Sequence, residues 1–148
     1  MSVFQGMNIS ATGMTAQRLR MDTISQNLAN INTTRTDSGG PYRRKITIFE
    51  EISQKNSFSN ILNQYLGEQS KVGGVKVSKI TEDKSDFITV YDPTHPDANK
   101  EGYVLMPNVN SLEEMTNLIS ANRTYEANVT ALNSNKAMIV KALEIGRQ

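Results

Sequence analysis

A chain of 148 residues with a formal net charge of +1 can bury one core, yet its 37% hydrophobic content, without tryptophan, is lean for a free-standing globule. The absence of cysteine excludes a disulfide framework and thiolate chemistry, and a balance so near neutrality offers no clustered basic excess for nucleic acid. MSVFQGMNIS lacks the regions of a cleavable secretory signal, and no run approaches the roughly 20 apolar residues of a membrane span, so direct membrane insertion is not expected.

Residues 1–34 hold three charged side chains, Arg18, Arg20 and Asp22, among Met, Ala, Ile, Leu, Asn, Thr, Ser and Gln. Met7, Met14, Met21 and Leu28 recur every seven residues, and Ile24 and Ile31 follow the last two by three, the spacing of a helical heptad seam. Ser10 and Gln17 stand where apolar partners belong, so the first half of the seam is the weaker. Gly6 and Gly13, also seven apart, read either as points of fraying or as notches that admit another backbone.

From Asn27 to Lys45 the texture changes abruptly, NLANINTTRTDSGGPYRRK. Ala29, Asn30, Asn32 and Thr33 predict a close-packed, hydrogen-bonded helix end, Gly39-Gly40-Pro41 a sharp turn, and Arg43, Arg44 and Lys45 the start of a charged strand.

Residues 46–107 differ in kind. Ile46 and Ile48, then Val75, Val77 and Ile80, then Phe87, Ile88, Val90 and Tyr91, then Tyr103, Val104 and Leu105 predict four short strands. Residues 53–72 fit either a short helix or a loop. Six lysines against nine acids give this region a net charge of −3, which marks it as the solvent-facing part. His95 lies between Pro93 and Pro96 in a turn, with no second base or nucleophile beside it in sequence, so no catalytic site and no enzyme is expected. Asp97, Asn99, Glu101 and Gly102 match the first half of a calcium loop, but Asn108 occupies the position of its bidentate glutamate. No metal or cofactor is therefore implied.

In residues 108–148, Met115, Leu118, Val129, Leu132, Ile139 and Leu143 fall on alternating spacings of three and four, with Asn122, Tyr125 and Lys136 completing the series. Ser111 is the expected cap, Glu114 its capping-box partner and Gly146 the stop. Such a helix is roughly 50 Å long, more than a compact fold of this size can enclose. Asn122 and Lys136 either fix the register of a seam or sit at its wet edge. The outer face carries amides and hydroxyls where a solvated helix usually carries Glu and Lys, a surface suited to being covered by other polypeptide. The fold expected is α+β, with helices in 1–34 and 108–148 pairing as an α-helical coiled coil around a turn and β-rich middle in 35–107.

NISATGMTAQRLRMDTISQNLANINTTRTDSGGPYRRK, VYDPTHPDANKEGYVLMPNV and MTNLISANRTYEANVTALNSNKAMIVKALEIG together resemble the bacterial flagellar rod and hook axial proteins, and within them the proximal-rod branch. The GGPYRRK turn is the most specific part of the resemblance, and the length agrees, since hook and distal-rod members carry a much larger middle domain. The resemblance implies a structural subunit, exported unfolded by the flagellar type III system without a cleaved signal, that assembles with copies of itself and other rod proteins. The product would be a periplasmic helical tube that transmits torque and surrounds the export channel. The inner-membrane ring and the export gate region would lie at its base. In that setting Arg43 and Arg44 either blunt an exposed edge strand or dock on an acidic surface of an adjacent subunit. A small helical adaptor and a calcium-binding module are the alternative readings.

Overall fold

The computed structural model describes residues 3–37, 39–52 and 73–146. Helix α1 spans Val3–Ala29; strands β1, β2, β3 and β4 span Lys45–Glu51, Val75–Glu82, Ile88–Tyr91 and Tyr103–Met106; helix α2 spans Ser111–Ile145. Two long helices and two small antiparallel sheets make this an α+β fold. The choice between helix and loop for 53–72 lies outside the described residues.

Each helix ends for a local reason. At the close of α1 the Asn30 side chain donates to the Gln26 carbonyl at 2.9 Å and accepts from the Thr33 hydroxyl at 3.2 Å, so groups that would have continued the helix are turned back on it. The N-cap of α2 is Asn110, one residue earlier than the expected Ser111. Its side chain accepts from the amides of Leu112 and Glu113, and an amide oxygen in extended backbone serves the role better than the serine that follows it inside the helix. Glu113 and Glu114 occupy the first turn, where carboxylates suit the helix dipole.

Strand β1 pairs with β2 from Lys45 opposite Glu82 to Glu51 opposite Val75. Ile48 faces Lys79 but Phe49 faces Val77, so Ser78 is an extra residue and the ribbon bends there. A second hairpin pairs Ile88 with Met106 and Tyr91 with Tyr103. Its loop is closed by Gly102 at φ +83°, a conformation that favours glycine, and by the Asn99 side chain, which accepts from the amides of Glu101 and Tyr103 at 2.9 Å each. Asp97 accepts from the Thr34 hydroxyl at 2.7 Å, and the His95 ring from the Asp97 amide at 3.1 Å. Of the residues that echo a calcium loop, Asn99 thus closes the turn and Asp97 ties it to the segment after α1.

The helices pack antiparallel along their length, with Gly6 beside Asn135, Gly13 beside Asn128 and Asn27 beside Glu114. The β1–β2 ribbon lies along α1, and the Val75 amide donates to the Thr12 hydroxyl at 3.2 Å. The interior is small. Among the described residues, Ala16, Ile24, Tyr42, Val104, Pro107, Val109 and Ala121 are its buried apolar side chains, and Ser10, Thr23, Asn27 and Glu114 are buried with them. Gly6 and Gly13 each receive an amide side chain, Asn135 and Asn128, where the sequence suggested fraying or the approach of another backbone.

Burial within the chain is uneven along the expected seam. On α1, Ile24 is buried, but Met7, Met14, Met21, Leu28 and Ile31 are only half-buried, while Ser10, the supposed weak point, turns inward. On α2, Leu118, Tyr125, Val129, Leu132 and Ile139 are half-buried, whereas Met115, Asn122, Lys136 and Leu143 are exposed. One step earlier in the helix, Glu114 and Ala121 are buried, and the half-buried Asn128 and Asn135 lie against Gly13 and Gly6. Small and amide side chains let the two axes approach closely, and the bulkier residues beside them are rotated outward.

Candidate functional site

The chain's most enclosed polar cluster forms where α1 ends, β1 begins and α2 begins. Thr33 and Tyr42 are brought together by a hydrogen bond from the Tyr42 amide to the Thr33 carbonyl at 2.9 Å, closing a loop whose tip reverses at Gly39 and Gly40, with φ of +82° and +85°. That reversal returns Tyr42 to the helix end, and its hydroxyl donates to Asn27 Oδ1 at 2.9 Å. Asn27 Nδ2 donates to Glu114 Oε2 at 2.8 Å and to the Lys45 carbonyl at 2.9 Å, and Asn27 Oδ1 accepts from the Lys45 amide at 2.9 Å. One amide side chain therefore ties α1 to the first residue of β1 and to the first turn of α2.

Arg44 completes the cluster. Its Nε and Nη2 donate to Glu114 Oε1 at 2.9 and 2.6 Å, Nη2 also reaches Glu113 Oε1 at 2.9 Å, and Nη1 lies 3.5 Å from Asp83 Oδ2. Glu114 is 1% exposed, so its charge depends on these partners. Burial by itself lowers the Arg44 pKa, but the hydrogen bond and charge of Glu114, followed by those of Glu113, outweigh it and hold the guanidinium above its ordinary value. The Arg44 amide donates to Asn108 Oδ1 at 2.8 Å, and Asn108 Nδ2 donates to the Ser85 hydroxyl at 2.7 Å. Arg43 donates from Nη1 to the carbonyls of Asp83 and Ser85 at 3.0 Å each and lies 4.2 Å above the Phe87 ring. The guanidinium groups considered for docking on a neighbour, or for blunting an edge, are both engaged within their own chain.

Away from this cluster the helices present apolar side chains to solvent. Leu112 (73% exposed), Met115 and Ile119 follow at spacings of three and four at the start of α2, Val140 and Leu143 form a second exposed pair near its end with mostly polar residues between, and Phe4 is exposed on α1.

The sequence matches the family described as "Flagella basal body rod protein" over residues 7–35 and the one described as "Flagellar basal body rod FlgEFG protein C-terminal" over residues 100–145. Among curated relatives, the flagellar basal-body rod protein FlgC of Bacillus subtilis is 55% identical, across 99% of this chain and 100% of its own. FlgC of Borreliella burgdorferi is 47% identical over 98% of each chain, and that of Escherichia coli O157:H7 is 36% identical over 99% of this chain and 100% of its own.

The chain belongs to the FlgC family of flagellar basal-body rod proteins. It is a structural subunit of the basal-body rod, not an enzyme, and it assembles with other flagellar rod proteins.

For a FlgC-family protein the cluster has a simple use. The two matched segments hold α1 on one side and β4 with α2 on the other, and Asn27 and Glu114 join them. Tyr42 and Arg44, between those segments, attach the β1–β2 ribbon to the same point. Among the predicted junction residues, Asn30 and Thr33 close the helix, Gly39 and Gly40 reverse the chain, Pro41 is half-buried beside them and Asn32 is exposed. Sequence reasoning passed over Asn27, Tyr42 and the buried role of Glu114. The available signal was Asn27 standing seven and fourteen residues beyond Arg20 and Gly13, in the column that starts at Gly6.

Tyr42 gives the cluster an alkaline limit. Burial first, then the charges of Glu114 and Glu82, raise its phenol above the ordinary 10.0. The unfolded chain then loses this proton at lower pH than the folded one, so the contribution is complete below pH 10 and falls as pH rises through the folded value. Thermal melts from pH 8 to 11 should show that loss. Tyr42→Phe should cost about 1 kcal/mol at pH 8 through the missing hydrogen bond and flatten the alkaline decline; an unchanged decline would remove Tyr42 as its source.

Proposed function

We propose that this FlgC-family chain is a subunit of the proximal rod whose paired helices, as an α-helical coiled coil, stack with copies of itself and with other rod proteins. The stack is a helical tube that surrounds the export channel and transmits torque. The exposed patch of Leu112, Met115 and Ile119 at the start of α2 carries this reading, because leucine, methionine and isoleucine left in water are covered once neighbouring helices lie against them. The tube stands in the periplasm, with the inner-membrane ring and the export gate region at its base, and its subunits arrive through the flagellar type III route without a cleaved signal. Among the described residues no helix is long and apolar enough to cross a membrane, which agrees with a subunit held by protein contacts.

A photo-crosslinking residue at Met115, in cells whose only copy is the altered chain, tests the reading. Adducts to rod proteins are expected from Met115. Capture at Met115 no greater than from the exposed loop position Lys100 would contradict it.

A further inference from the structure

Along α1, Gly6, Gly13, Arg20 and Asn27 stand seven apart, and along α2 so do Asn135, Asn128, Ala121 and Glu114. Three of the four facing pairs are fixed by contact. A Cβ on Gly6 would lie 3.1 Å from Asn135 Nδ2, one on Gly13 3.1 Å from both Asn128 Nδ2 and Oδ1, and Asn27 donates to Glu114 at 2.8 Å. The same antiparallel register sets Arg20 against Ala121, which is fully buried, and the long side chain passes on to donate from Nη2 to Asn117 Oδ1 at 3.4 Å. Read from the open end toward the polar cluster, the layers are small against amide, small against amide, large against small, and amide against carboxylate.

We infer that these four layers are a register key, a size and polarity code that fixes α2 on the α1 of its own chain at one axial position. Each shift by a heptad meets a different penalty. In one direction Asn128 falls on Arg20, two large polar groups in one layer, and Asn27 loses its carboxylate to face Ala121. In the other, Glu114 moves to Arg20 and leaves Arg44 without its buried partner, while Ala121 leaves the Gly13 notch unfilled. Asn128 is held ready for its notch, since its Nδ2 also bonds the Thr124 carbonyl at 2.9 Å. Greasy seams slide because every layer is alike, and a polar residue at a seam position is a recognised means of fixing register. Here the code uses the absent side chains of Gly6 and Gly13 as much as the present ones. The key works within the chain, so it does not depend on how the rod assembles.

The chain has no cysteine, so register can be trapped in the full-length protein by introduced pairs. Gly6→Cys with Asn135→Cys is the matched pair. Gly6→Cys with Asn128→Cys probes the slipped one, whose partners stand about 10 Å apart along the axis, beyond the roughly 7 Å reach of a disulfide. Under a mild oxidant the matched pair should form an intrachain bridge in about tenfold greater yield than the slipped pair. Adding Gly13→Asn to the matched pair should reduce its yield several-fold by crowding two amides into one layer, and adding Asn128→Gly as well should restore it. Equal bridging of both pairs, bridging between chains in place of within them, indifference to Gly13→Asn, or failure of Asn128→Gly to restore the bridge would each overturn the key.

Discussion

Replacing Glu114 with alanine should destabilise the folded chain by about 3–5 kcal/mol, the usual cost of removing one partner from a buried ion pair. The size of the effect follows from burial. Glu114 holds Arg44 through two hydrogen bonds of 2.9 and 2.6 Å and accepts a third from Asn27, whose side chain is 1% exposed and would be left with an unpaired donor. The adjacent Glu113 also reaches Arg44 at 2.9 Å, yet its side chain is 56% exposed, so Glu113→Ala should cost no more than about 1 kcal/mol. Urea unfolding of the two variants separates them. Equal midpoints would mean that the cluster is ordinary surface electrostatics and not the point that unites α1, β1 and α2.

The second large effect is expected on assembly and not on the chain's own stability. Met115→Asp with Ile119→Asp places two carboxylates on the exposed patch at the start of α2, at positions 53% and 57% exposed. Because neither side chain fills the interior, the unfolding free energy from urea melts should change by no more than about 0.5 kcal/mol. A neighbour that covers this face must then strip water from two unpaired charges, at several kcal/mol each, so incorporation into the rod and swimming should be lost. A strain carrying only the altered gene shows the outcome directly. Normal swimming would mean that this face meets water in the finished structure.

These two variants also mark where the fold could be read from sequence and where it could not. The periods of the two terminal segments announced helices, and the α2 span was legible because Gly146 and the polar residues near Ser111 punctuate it. The four strands stood out through β-branched and aromatic residues between turns. The inward face was not legible, for a physical reason. Apolar periodicity finds the stripe that most needs covering, and in an isolated globule that stripe is the core. Here Gly6 and Gly13 meet Asn135 and Asn128, and Ala121 is fully buried, while Met115 and Leu143 are exposed. A hydropathy pattern cannot distinguish a side chain covered by its own chain from one covered by the next. The distance of Glu114 from Ser111 fits a capping box, whereas its actual partners are Asn27 and Arg44, which lie far from it in sequence.

Three basic residues follow the turn because each joins it to another part of the chain. Arg43 clamps the Asp83–Ser85 turn against Phe87, Arg44 neutralises the first turn of α2, and the Lys45 backbone completes the Asn27 amide. Asp83 contributes from the other side. The Ser85 amide, with Arg44 adding to it, holds its carboxyl below the ordinary range, so that small stabilisation is present above the usual carboxylate pKa and is lost as pH falls through the folded value.

A density map of the intact basal body, resolved well enough to place side chains, is the most direct test. The account predicts helix α2 with Leu112, Met115 and Ile119 against helices of adjacent subunits, and Asn128 and Asn135 still seated on Gly13 and Gly6 of the same chain. A map in which that patch faces open solvent would contradict it.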